Sequence, residues 1–127
     1  MLTAGKIDKM PALVGVQASA CAPLVALFSM GMIGLNFVTE GATIAEGVRT
    51  RTPLRAEAVV KITRESGGRF TSVDEAFILS GRDALAKLGF YVEPTSALVW
   101  RALEELLPEL SDPVVAILTG SGYKVRI

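Results

Sequence analysis

At 127 residues, half of them apolar, the chain has the size and composition of one globular domain. Thirteen lysines and arginines balance 13 aspartates and glutamates, and no basic run interleaves with aromatics, so the electrostatic footprint of a nucleic-acid binder is missing. The absence of histidine and the single Cys21 exclude Ser-His and Cys-His nucleophile pairs, most zinc sites and any internal disulfide, leaving carboxylates, hydroxyls, lysines or a cofactor to carry any chemistry.

From Met10 to Thr39 no residue is charged, a stretch long enough to cross a bilayer. Against a membrane helix stand Pro11, Gln17, Pro23, Asn36 and several glycines, together with a change of texture: "ALVGVQA" reads as a buried strand over 12–17, "APLVALFSMG" as a short helix with Pro23 at its first position. In "TPLRAEAVVKITRESGG", Thr52 as N-cap, Pro53 at N1, the pairs Glu57–Lys61 and Lys61–Glu65 and a stop at Gly67 predict a helix. "RFTSV" reads as a short strand. Ser72 and Glu75 then form a capping box before the helix "DEAFILSGRDALAKL", which Gly89 ends. "FYVEPTSALVWRALEELLP" enters an amphipathic helix whose stripe is Ala97, Trp100, Leu103 and Leu107, with Arg101 and Glu105 as a surface pair. A last strand covers 114–118. The runs at 12–17 and 114–118 are continuously apolar, as when helices cover both faces of a parallel sheet, and the expectation is a single α/β domain over 1–127 with three α/β/α layers and a mainly parallel sheet. No internal repeat or low-complexity segment is present.

In open α/β sheets ligands bind beyond the carboxyl ends of the strands, which directs attention to Thr119, Gly120, Ser121 and Gly122. A glycine-x-glycine corner is also what a tight turn needs. In "EPTS", residues 93–96, Thr95 reads as a helix cap and Glu93 as an ordinary surface carboxylate unless other features assemble around them. Cys21 reads as a small buried hydrophobe, Trp100 as core, and one free cysteine without a signal-peptide pattern fits a reducing cytoplasm.

The order of four segments alters these readings. "PALVGVQASACAPLVALF", "TIAEGV", "TSVDEAFILSGRDALAKLGFYVEPTSAL" and "VVAILTGSGYK" together resemble the C-terminal part of the large domain in the threonine synthase group of fold-type II pyridoxal-phosphate enzymes, the tryptophan synthase β superfamily. "TGSGYK" looks like that family's TGxGxK close, where the first hydroxyl residue hydrogen-bonds the pyridine nitrogen of the cofactor. The resemblance therefore implies cofactor contacts at Thr119, Gly120, Ser121 and, positioned beneath the site, Glu93. A neutral hydroxyl there does not force the ring nitrogen to be protonated, which suits β- and γ-replacement or elimination on an amino acid such as O-phosphohomoserine, a lyase of amino-acid biosynthesis.

The same resemblance exposes gaps. The lysine of an S-F-K-x-R type motif, the serine/asparagine-rich carboxylate loop and the glycine-rich phosphate loop have no counterpart, and none of Lys6, Lys9, Lys61, Lys87 and Lys124 matches the lysine motif. "LTAGKIDKMP" looks like the tail of the helix after the phosphate loop, and residues 17–21 offer no carboxylate for a metal, so no cation site is expected. The resemblance implies a half-enzyme, inactive alone, whose catalytic lysine lies on another subunit or on the N-terminal half of a longer chain. No catalytic residue and no bound cofactor are expected on this chain by itself. The alternatives are a non-catalytic, self-associating or regulatory α/β module, and a small phosphate- or nucleotide-binding protein using the Gly-Ser-Gly corner, which the lack of a helix after that corner disfavours. An open strand edge and uncovered apolar faces over 10–39 predict a homodimer in isolation.

Overall fold

A pair of parallel strands organises residues 3–124, the part of the chain that the computed structural model describes. Strand β1, Val14–Ala18, runs beside β2, Arg69–Val73, with Val14 opposite Arg69 and Ala18 opposite Val73. Between them lie helix α1, Pro23–Met30, a 3-10 stretch over Gly31–Phe37, and helix α2, Ala56–Glu65. After β2 come a 3-10 turn, Glu75–Phe77, helix α3, Ile78–Lys87, and helix α4, Pro94–Leu106.

Alternation along the strands sends neighbouring residues to opposite faces. On one face Phe70 meets Phe28 of α1 edge to face, with ring centroids 5.4 Å apart. On that face too, Gln17 reaches the start of α1, where its Oε1 accepts from the Leu24 and Val25 N–H groups at 2.8 and 3.1 Å. The residue before α1 is alanine and caps nothing, so the strand supplies the acceptor that helix N-termini require. At the other end of α1, Arg64 of α2 donates to the Phe28 carbonyl at 2.6 Å and lies over the Phe28 ring. On the opposite face Ala18 and Val73 are buried with Ile78 and Leu85 of α3 and with Ala97, Leu98 and Ala102 of α4, and this is the core. The result is three layers, α1 and α2, then the sheet, then α3 and α4, as expected for an α/β fold.

Several boundaries differ from the sequence reading. β1 begins and ends later than 12–17: its pairing with β2 runs from Val14 opposite Arg69 to Ala18 opposite Val73, while the Leu13 N–H donates to the Ser66 hydroxyl. Helix α2 starts at Ala56, so Thr52 and Pro53 stand outside it; Pro53 contributes a turn by accepting from the Ala56 N–H. The Ser72–Glu75 capping box does not form: Ser72 lies within β2, and Glu75 turns away to another loop. Gly67 and Gly89 do close α2 and α3, at φ of 71° and 92°, backbone that only glycine enters at little cost. The surface pair Arg101–Glu105 forms at 2.9 Å, whereas Trp100 is only half buried and donates its ring N–H to Glu104. Residues 3–10 form turns and bends, not the tail of a helix. Among the described residues no helix is long and apolar enough to cross a membrane.

The largest correction concerns 114–118, expected as a buried strand. The segment lies outside both strands, no backbone-to-backbone hydrogen bond reaches it among the described residues, and Val115 and Ile117 are 82% and 74% exposed. Leu118 alone packs against the core. An apolar run becomes a strand only when another backbone takes up its N–H and C=O groups, and none lies alongside here.

Candidate functional site

β1 and β2 run the same way, so both carboxyl ends fall at one edge of the molecule, and the four segments singled out in the sequence converge there. The Ser19 N–H donates to the Val73 carbonyl at 2.9 Å, tying the two strand exits together. The segment 43–48 lies across them. Its Ile44 N–H donates to the Glu75 carboxylate at 2.6 Å and its Gly47 N–H to the Thr95 hydroxyl at 3.1 Å. Thr43 is buried and accepts from the Ala45 N–H at 3.1 Å. Thr95 therefore does not cap α4 as its position suggested. Glu93 is the residue before the helix and its carbonyl takes the Ser96 and Ala97 N–H groups, while the Thr95 hydroxyl fixes a loop 48 residues earlier.

The C-terminal corner is laced to the entry of α4. The Gly122 N–H donates to the Tyr91 carbonyl, and the Glu93 N–H donates to the Gly120 carbonyl, both at 3.0 Å, with Val92 and Ser121 forming an antiparallel bridge between them. The Thr119 N–H donates to the Ser96 hydroxyl at 2.9 Å. A 3-10 turn does form over Gly122–Lys124, but Gly120 and Gly122 are not among the glycines with positive φ, so backbone freedom is not what the corner takes from them. Both positions need glycine for space: a Cβ on Gly120 would run into the Glu93 carboxylate, and one on Gly122 would meet the Tyr91 ring at 2.6 Å.

The four residues singled out thus come together. Thr119 is exposed, and its hydroxyl engages no partner among the described residues. Glu93, half buried, lays its carboxylate against Gly120 and enters no ion pair among them. Ser121 is exposed and its hydroxyl accepts from the Tyr123 N–H within its own turn, at 3.3 Å. The sequence reading missed Ser96, which is 3% exposed. Its signal was present: position 96 lies four residues before Trp100 on the apolar stripe of α4, where a hydroxyl requires a partner. Cys21 is buried and its thiol is pushed above the ordinary value of 9.0, first by burial and then by Glu40, so it is no nucleophile. All five lysines are exposed; Lys124 ends the 3-10 turn Gly122–Lys124 of this corner, where its N–H donates to the Ser121 carbonyl at 3.3 Å.

The corner can offer a neutral, unengaged hydroxyl and a carboxylate on a hydrogen-bonded frame, with the exposed Lys124 at the end of its turn. A family model described as "Pyridoxal-phosphate dependent enzyme" matches residues 2–120. The chain is 32% identical over 125 residues to threonine synthases of Methanocaldococcus jannaschii and Mycobacterium tuberculosis, and 32% identical over 123 residues to that of Synechocystis sp.. Each match covers 94% of this chain and 30–32% of the relative, so the chain spans about a third of the length of the curated relatives it matches.

Proposed function

This chain belongs to the pyridoxal-phosphate dependent enzyme family, and from that premise we propose that it is the C-terminal portion of a threonine synthase-like enzyme, supplying the contact to the pyridine nitrogen of the cofactor through Thr119. The observation that carries the proposal is the Thr119 hydroxyl, exposed and without a partner among the described residues, on a backbone that is itself held in place by Ser96. A neutral hydroxyl and the glycine beside it fit the ring-nitrogen edge of the cofactor. Among the described residues no lysine is buried, and Lys124 at the end of the corner's turn is exposed, so the groups for the aldehyde and phosphate ends belong to the complementary portion. When bound, pyridoxal phosphate supplies the electron sink for replacement or elimination at an amino acid, of which O-phosphohomoserine is the substrate proposed here. Thr119 orients the ring, Gly120 keeps the backbone narrow, Ser121 holds the following turn, and Glu93 supports the corner from below as a positioning carboxylate.

The unpaired segment 114–118 supports a complementary portion that carries the lysine and phosphate loop and lies alongside this run. Without it, exposed Met32, Ile33 and Phe37 on the α1 side favour a homodimer. The buried, unreactive thiol is consistent with a reducing cytoplasm.

The test is borohydride reduction after incubation with pyridoxal phosphate. Alone, the chain should show no stoichiometric label on any lysine and no turnover. Supplied with the complementary portion of a related threonine synthase, it should gain a labelled lysine on that portion together with turnover. Thr119→Val should then lower turnover by about 10–100-fold, the equivalent of roughly 1–3 kcal/mol for a buried acceptor left unpaired. Labelling of a lysine in the isolated chain, or indifference of the reconstituted enzyme to Thr119→Val, would overturn the assignment.

A further inference from the structure

We infer that Ser96 is the positioning residue for Thr119: its buried hydroxyl, held in the first turn of α4, fixes the amide of Thr119 and thereby the direction in which the Thr119 side chain leaves the backbone. The inference deepens the function proposed above and rests on its reading of Thr119. Along the corner, Gly120 and Gly122 are fastened by backbone partners at Glu93 and Tyr91. Thr119 has no such partner among the described residues, and its single hydrogen bond is the one to Ser96. Pro94, Ala97 and Leu98 are buried around Ser96, so a hydroxyl left unmatched in that turn would be unfavourable, and the Thr119 N–H is the donor that matches it.

The arrangement divides labour within four residues of one turn. Thr95 turns to Gly47 and secures the segment 43–48, while Ser96 turns to Thr119 and secures the C-terminal corner. Each hydroxyl accepts a backbone N–H from a different part of the chain, so the entry of α4 sets the two rims of the site relative to each other. Ser96 does not reach solvent and touches no reacting group; it acts through Thr119 alone.

Amide hydrogen exchange on the full chain reads the bond directly. Ser96→Ala should speed exchange at Thr119 at least ten-fold while Ala102, further along α4, keeps its protection, and Ser96→Thr, which retains the hydroxyl, should restore slow exchange at Thr119. Unchanged exchange at Thr119 in Ser96→Ala would overturn the inference. The functional arm is a double-mutant cycle in the reconstituted enzyme. Ser96→Ala should lower kcat about ten-fold with little change in KM when Thr119 is present, and should lower it no further in the Thr119→Val background. A silent Ser96→Ala beside a damaging Thr119→Val, or losses that simply multiply, would sink the role of Ser96. A silent Thr119→Val would sink the function proposed above and, with it, this reading of Ser96.

Discussion

Val14–Ala18 and Val114–Leu118 have nearly the same texture, five mostly apolar residues rich in valine, yet only the first is a strand. β1 has Arg69–Val73 beside it and a helix layer on each face. Among the described residues the second run has neither a ladder nor a cover over Val115 and Ile117. Composition brings a segment to the threshold of strand formation, and a neighbouring backbone takes it across.

The strongest contrast comes from matched truncations. Val73→Ala, at the buried end of β2, should cost about 2 kcal/mol in chemical denaturation, the lost transfer of two methyls plus the cavity they leave. Val115→Ala should stay within about 0.5 kcal/mol. Equal losses would mean that 114–118 is covered in solution after all.

The difference between the two runs was not legible in the chain, because texture reports what a face can bury and not what lies beside it. What was legible had local causes: Pro23 opening α1, Gly67 and Gly89 closing α2 and α3, and the i,i+4 pair on α4. The misread residues are those whose partners are distant in sequence. Glu75 looked like half of a capping box and binds Ile44; Thr95 looked like a cap and binds Gly47. Ser96 drew no notice and binds Thr119. A single hydroxyl or carboxylate leaves no periodic trace by which a partner dozens of residues away could be read. The family resemblance grouped Glu93 with Thr119–Ser121, residues that the fold brings together, but it could not say that Gly120 is glycine because a carboxylate lies against it.

That last point gives the next test, on the side of the comparison where the C-terminal run becomes ordered. Gly120→Ala should destabilise the chain by about 1–2 kcal/mol, since the Glu93 carboxylate must move, and Glu93→Ala should relieve much of that loss in the double variant. Independent effects of the two substitutions would show that the contact is not what demands glycine.

The smallest effect expected is a pH dependence at the exit of β1. Cys21 has its folded pKa raised above 9.0, chiefly by burial, so its contribution to stability is complete below that pH and declines as the pH rises through the folded value. Denaturation midpoints of the parent chain should fall more steeply above about pH 9 than those of Cys21→Ala, starting from a lower baseline in the variant. Parallel pH profiles would show that the thiol ionises without opposition from the fold.

The two imported caps of α1 bear on the uncharged stretch from Met10 to Thr39. An eight-residue helix falls short of the roughly 12–15 residues that sustain an isolated helix in water. Its amino end is closed by Gln17 from the strand and its carboxyl end by Arg64 from α2, so the segment has no need of charged termini of its own. Excised as a peptide, the helix alone would lose both closures along with the ring of Phe70 and keep only its oiliness. What looks in the bare sequence like a membrane span thus carries the acceptor for one end of its helix in Gln17 and borrows the donor for the other from Arg64.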